Sequence, residues 1–303
     1  MGYKILHNVS HKDKIKLNSY VGYPINESDP YQINVIFLHG LLGKAHRTWR
    51  CNDTAINTEN HSYCWPLEWL PTSLKRRSLT PKIILMTYPT AVSSYSTYCL
   101  TEEHTLQQRA DILRQNIASL KLRGPIVLVG HSMGGLLLKQ IIVQASECED
   151  TDFLSAISGI CFYSTPHHGS WLAKYATSNP LTKKILNPTI EVQELSSSCD
   201  YLSQLNNTFY NVVANNPKLC NILSFVETVP TKMFGAGKSP SYCQPTLYSI
   251  NSETLIVDTA SAQIEYGNVI QISENHINVN KPVSRSDPAY SELVNFILHS
   301  TGE

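Results

Sequence analysis

The sequence predicts an α/β protein built on an open, mostly parallel sheet with helices on both faces. Short apolar runs recur at 35–38, 82–88, 126–129, 158–163, 222–226 and 254–257. Runs without polar alternation belong to strands covered on both sides. Helix-period stretches separate them, which implies parallel crossovers. The pentapeptide Gly130-His131-Ser132-Met133-Gly134 lies between the run 126–129 and the helical stretch that begins at Gly135. That order, strand, sharp turn, helix, is the context of a nucleophile elbow and makes the α/β-hydrolase fold the expected class.

Each element follows in order. The first 30 residues alternate weakly through Ile5, Val9, Ile15, Leu17 and Val21 and predict antiparallel edge strands. The run 35–38 ends in His39-Gly40-Leu41-Leu42-Gly43, a glycine-bounded turn. An insertion over 44–80 carries Trp49, Trp65 and Trp69 among polar residues. After the strand at 82–88, apolar positions at Leu106, Ile112, Leu113, Ile117 and Leu120 mark a helix; Thr105 or Glu103 starts it and Gly124-Pro125 closes it. The stretch 170–219 passes Pro180 and Pro188 with amphipathic pieces between and lies where hydrolases of this shape place a cap. A helix around 290–297 ends the pattern. Residues 1–303 are expected to form a single domain with a cap-like insertion at about 170–219, because α/β domains of about 250 residues commonly stay undivided.

Composition narrows the function. Lys plus Arg and Asp plus Glu are balanced at 24 each, so no field favours nucleic acid. The eight cysteines are scattered with no C-x-x-C pair, and no zinc site is expected. The N-terminus lacks the apolar core of a secretion signal, Leu6 stands where myristoylation needs Ser or Thr, and no run approaches a membrane span. Reduced thiols in an intracellular protein, with peripheral membrane contact at most, are the expectation.

A bare G-x-S-x-G arises by chance in roughly one chain of this size in ten to twenty. The flanking strand and helix carry the signal. A serine hydroxyl needs a histidine to take its proton and a carboxylate to hold that histidine in the right tautomer. In hydrolases of this fold the partners follow in the order serine, acid, histidine. His276 comes after the sixth run and before the closing helix and is the choice for base. Glu227, directly after 222–226, is the favoured acid, with Asp258 after 254–257 as the alternative. The oxyanion donors are the N–H of Met133, by position, and the N–H of Leu41, with Leu42 next. Thr165-Pro166-His167-His168-Gly169 follows the fourth strand and is expected to shape the cleft wall or bond the loop; His131 is expected to pack beside the nucleophile. No metal or organic cofactor is called for.

Taken together, the 35–43 segment, Cys64-Trp65-Pro66-Leu67-Glu68-Trp69-Leu70, the elbow through Gly135-Leu136, Phe162-Tyr163-Ser164-Thr165-Pro166-His167-His168-Gly169-Ser170, Phe225-Val226-Glu227-Thr228 and Asn275-His276-Ile277-Asn278 resemble the serine active site containing (SERAC) family over about residues 33–298. That family is similar to lipases and to glycosylphosphatidylinositol inositol-deacylases. The resemblance implies Ser132 as nucleophile, His276 as base and Glu227 as acid. It also implies phospholipid remodelling and cholesterol trafficking where endoplasmic reticulum meets mitochondria. Longer members carry a helical N-terminal region that this chain is expected to lack. The reading is a serine ester hydrolase or acyltransferase acting on a lipid or other acyl ester. The alternative is a noncatalytic hydrolase-fold scaffold that binds lipid or protein.

Overall fold

The computed structural model describes residues 4–8, 17–21, 32–51, 63–90, 104–170, 190–196, 200–238 and 245–302. Its strands are β1 (Lys4–Asn8), β2 (Leu17–Val21), β3 (Gln32–Leu38), β4 (Thr80–Met86), β5 (Ile126–His131), β6 (Ile157–Tyr163), β7 (Ile222–Glu227), β8 (Thr231–Lys238), β9 (Pro245–Thr254) and β10 (Asn268–Ile272). The helices are α1 (Ala45–Thr48), α2 (Trp65–Glu68), α3 (Leu70–Lys75), α4 (Leu106–Ser119), α5 (Met133–Glu147), α6 (Thr151–Ala156), α7 (Ile190–Glu194), α8 (Asp200–Asn215), α9 (Thr259–Ala262) and α10 (Pro288–His299). A six-stranded sheet runs β10-β7-β6-β5-β3-β4, and every neighbouring pair in it is parallel. This is the α/β-hydrolase arrangement the sequence predicts.

Alternate residues of one strand feed two cores, because side chains leave a strand on opposite faces. Ile36 and Leu38 of β3 join Leu128 of β5 and the apolar sides of α4, α5 and α8. Val35 and Phe37 of the same strand join Val127, Val129 and residues of α2, α3 and α10 on the other face. A capping box between Thr105 and Gln108 starts α4, which selects Thr105 over Glu103 as its N-cap residue.

The three tryptophans of the 44–80 insertion are core residues. Trp49 and Trp65 pack edge-on against Phe37 at 5.0 and 5.6 Å, and Trp65 and Trp69 meet Tyr290 of α10 at 5.6 and 5.5 Å. Edge-to-face pairs add about 0.5–1.5 kcal/mol each beyond area burial. The described parts of this insertion pack on one face of the sheet, and its tryptophans lend no support to a lipid surface.

Two features depart from the strand pattern expected. Residues 254–257 are not a sheet strand: β9 pairs antiparallel with β8 in a separate hairpin, and the sixth sheet strand is β10. The N-terminal strands pair antiparallel, as expected, but form a two-stranded sheet of their own. Of the stretch 170–219, residues 171–189 and 197–199 lie outside the described residues, and α8 lays Leu202, Leu205, Phe209 and Val213 into the core beside α5.

Helix α5 is buried without a break from Met133 to Ala145. Such a helix must satisfy its own polar side chains. Gln140 accepts from Tyr201 (2.8 Å) and Gln144 donates to the carbonyl of Gln107 (2.8 Å). The Lys139 amino group donates to Asn206 Oδ1 and lies 3.3 Å from His167 Nδ1, while Asn206 in turn donates to the His167 carbonyl at 2.8 Å. None of these partners is a carboxylate, and burial lowers the Lys139 pKa from 10.5 to about 7. Between about pH 7 and 10.5 the unfolded chain therefore binds a proton that the native protein releases, and stability rises with pH there. Wild type compared with Lys139→Met by denaturant unfolding should gain about 1.4 kcal/mol per pH unit from pH 7.5 to 9. Parallel curves for the two proteins would contradict the assignment.

Candidate active site

Every candidate group stands at the carboxyl end of a parallel strand: Leu41 beyond β3, Ser132 beyond β5, Glu227 closing β7 and His276 beyond β10. Ser132 occupies the turn between β5 and α5 with φ 56° and ψ −127°, a conformation that costs a side-chain-bearing residue on the order of 1–3 kcal/mol. Its N–H donates to the Tyr163 carbonyl (2.9 Å) and its own carbonyl accepts from Gly135 (2.9 Å). The flanking glycines are required by close approach. A Cβ on Gly130 would fall 2.6 Å from the Gly135 nitrogen, and one on Gly134 would fall 2.5 Å from the Leu38 carbonyl oxygen.

Three side chains meet in line. The Ser132 hydroxyl lies 3.0 Å from His276 Nε2, and His276 Nδ1 lies 2.5 Å from Glu227 Oε2. A carboxylate can only accept, so the proton of His276 sits on Nδ1 and leaves Nε2 free to take the serine proton. Glu227 is wholly buried. Its other oxygen accepts from the backbone N–H of Ile256 (3.0 Å) and Val257 (3.3 Å), so both oxygens are matched by donors.

Asp258, the alternative acid, is exposed and serves another purpose. Its Oδ1 accepts from the Ser261 N–H (2.7 Å) and caps α9.

The turn after β3 touches the elbow: a Cβ on Gly40 would lie 2.8 Å from Cβ of Ser132. The N–H of Leu42 is engaged by Thr90 Oγ1 at 2.8 Å, whereas among the described residues no acceptor meets the N–H of Leu41 or of Met133. That leaves Leu41 and Met133 available as a donor pair. His39 fixes this turn. Its Nδ1 donates to the Gly40 carbonyl (2.8 Å), its Nε2 accepts from the Tyr88 N–H (3.3 Å), its carbonyl accepts from the Tyr88 hydroxyl, and the two rings stack at 4.1 Å. Burial lowers the His39 pKa to about 4 and drives those of His131 and His167 well down, so three imidazoles around the site are neutral.

His167 faces Lys139 and Asn206 and ties down the loop after β6. Among the described residues no group of three or more His, Cys, Asp or Glu is placed to hold a metal ion, and no helix is long and apolar enough to cross a membrane.

Sequence reasoning missed Thr231, whose hydroxyl accepts from the His276 N–H at 3.2 Å, and the two backbone donors to Glu227. Both lie at the root of the β8–β9 hairpin. That hairpin leaves the sheet after β7 and returns at 255–257. Of the run 254–257 read as a strand, Ile256 and Val257 instead point their N–H groups at the carboxylate.

Fold and site define a class: an α/β-hydrolase-fold protein with serine, histidine and glutamate in one hydrogen-bonded line. No family model matches the chain. Protein SERAC1 of Danio rerio is 31% identical over 96% of this chain and 43% of its own length; the Bos taurus and Homo sapiens proteins are 32% and 31% identical over 94% of this chain and 42% of their own. Over this matched region the chain is a homologue of the SERAC1 proteins, and it spans less than half the length of these relatives. Among solved structures, the mature lipase BlEst2 of Bacillus licheniformis superposes with TM-score 0.53 at 15% identity, over 91% of this chain and 97% of that one. Phospholipase PlaB of Legionella pneumophila gives 0.51 at 14%, over 89% and 60%. Both likenesses concern the fold.

The neutral imidazoles set an acid limit. A base whose pKa falls from 6.5 unfolded to about 4 in the native protein stabilises the fold fully above pH 6.5, and that contribution is lost as pH falls toward 4. Replacing His39 by Asn should flatten the fall in melting temperature between pH 6.5 and 4.5 relative to wild type. An unchanged slope would contradict a neutral His39.

Proposed function

We propose that the protein is a serine ester hydrolase that acts on lipid acyl esters, in the manner of phospholipid remodelling, through an acyl-enzyme on Ser132. The observation that carries this reading is the unbroken line Glu227 Oε2, His276 Nδ1, His276 Nε2, Ser132 Oγ, with spacings of 2.5 and 3.0 Å. As the Ser132 oxygen bonds to the ester carbonyl carbon, its proton passes to His276 Nε2, and Glu227 stabilises the imidazolium that results. The carbonyl oxygen takes up negative charge and is held by the N–H groups of Leu41 and Met133; losing one donor in a comparable site costs about 3–4 kcal/mol. Collapse breaks the ester C–O bond, and the proton on His276 goes to the departing alkoxide. Water, or the hydroxyl of a second lipid, then attacks the acyl-enzyme while His276 takes its proton; the acyl–Oγ bond breaks and His276 returns that proton to Ser132 Oγ.

The lipid assignment is supported by the names of the fold's neighbours, a lipase and a phospholipase. An apolar rim supports it further: Leu42 is 59% exposed beside the oxyanion turn, Ile277 51% beside the base and Val229 40% beyond the acid. Peripheral contact with a membrane through this rim, at the endoplasmic reticulum and mitochondrion that the family resemblance implies, belongs to the same proposal. So does the reading of the chain as one hydrolase domain.

Ser132→Ala should abolish labelling by a fluorophosphonate probe and lower kcat on a long-chain p-nitrophenyl ester by about 10⁴-fold or more. Labelling that persists in the Ala variant, or a wild type inert to both reagents, would leave a binding scaffold as the better reading. Glu227→Gln should lower kcat by about 10²- to 10⁴-fold. Asp258→Ala should only lower stability by about 1 kcal/mol, from loss of a helix cap. The reverse ranking in steady-state kinetics would reassign the acid.

A further inference from the structure

We propose that His131, the residue before the candidate nucleophile, is a positioning residue that holds His276 against Ser132; this rests on the function proposed above. His131 closes β5, and its Nε2 lies 3.0 Å from the backbone carbonyl oxygen of His276, which is 145 positions away in the chain. A carbonyl only accepts, so the His131 proton is on Nε2. Its Nδ1 then faces Gly40, where an added Cβ would stand 3.3 Å away. The ring centroids of His131 and His276 are 5.1 Å apart, and the Trp49 ring stands edge-on to His131 with centroids 6.4 Å apart. One imidazole thus touches the elbow covalently, the base by a hydrogen bond and the oxyanion turn by packing.

The base is otherwise fixed on its N–H side by Thr231 Oγ1 (3.2 Å). His131 supplies the matching tie on the carbonyl side, through a residue bonded directly to Ser132. The distance between base and nucleophile is therefore set through a single peptide unit of β5. Charge also matters. Burial, and then the neighbouring His276, keep the His131 pKa well below the usual imidazole range. A neutral ring donates the bond without placing a second positive charge beside the imidazolium that forms during acyl transfer.

A packing residue and a donor can be separated by substitution. Leu fills the volume without an N–H, Gln carries an amide N–H to about the position of Nε2, and Asn is polar but falls short. His131→Leu and His131→Asn should lower kcat by about 10- to 100-fold with KM within about 2-fold, whereas His131→Gln should stay within about 5-fold of wild type. A readout that needs no turnover is the downfield Nδ1–H proton resonance of His276. It should be sharp in wild type and His131→Gln and broadened by exchange in His131→Leu and His131→Asn. The proposal is overturned by wild-type kcat in either donor-less variant, by a Gln variant as impaired as Asn, or by a sharp resonance in all four proteins. An absence of Ser132-dependent turnover in wild type, with the resonance pattern as expected, would overturn the proposed function and leave this tie standing.

Discussion

The turn at Ser132 is the constraint on which the rest depends. A residue with a side chain is held at φ 56° between a strand buried along its whole length and a helix buried from Met133 to Ala145. Strain on the order of 1–3 kcal/mol persists only where the surroundings over-determine the geometry. Here they do so from three directions: Gly134 lets the β3 carbonyls approach, Tyr163 of β6 accepts the Ser132 N–H, and α5 is locked by Gln140, Gln144 and Lys139 to the elements around it. The hydroxyl is thereby presented at the sheet edge where the loops beyond β3, β7 and β10 converge.

Around that hydroxyl the polar groups are held by fixed partners. The buried carboxylate of Glu227 is matched by His276 and two backbone N–H groups, and the turn after β3 is held by the pairing of His39 with Tyr88. The same burial that strengthens these bonds keeps His39, His131 and His167 uncharged. The β8–β9 hairpin closes this arrangement, since Thr231 at its start meets His276 and residues 256 and 257 just past its end meet Glu227.

Much of this was legible in the sequence because it is local. The elbow, the glycine-bounded turn after β3 and the carboxylate at the end of β7 are each written in fewer than ten consecutive residues. What failed was long-range. The run 254–257 is too short for periodicity to separate strand from loop, and the true sixth sheet strand, Asn268–Ile272, is mostly exposed and reads as a mixed segment. The tryptophans of the 44–80 insertion look like exposed apolar residues in a polar stretch until Phe37 and Tyr290, far apart in the chain, are brought to them. Lys139 and His167 carry no local sign of their meeting. It is created by the loop after β6 folding back over α5, with Asn206 of α8 bonded to both residues.

The most direct measurement is a crystal structure of the protein after reaction with an alkyl fluorophosphonate. Convergence on one hydroxyl predicts phosphorus bonded to Ser132 Oγ, with the phosphoryl oxygen within hydrogen-bond distance of both the Leu41 and Met133 N–H groups and His276 Nε2 still facing Oγ. A phosphoryl oxygen turned away from both N–H groups, or phosphorus bonded to any other residue, would contradict it.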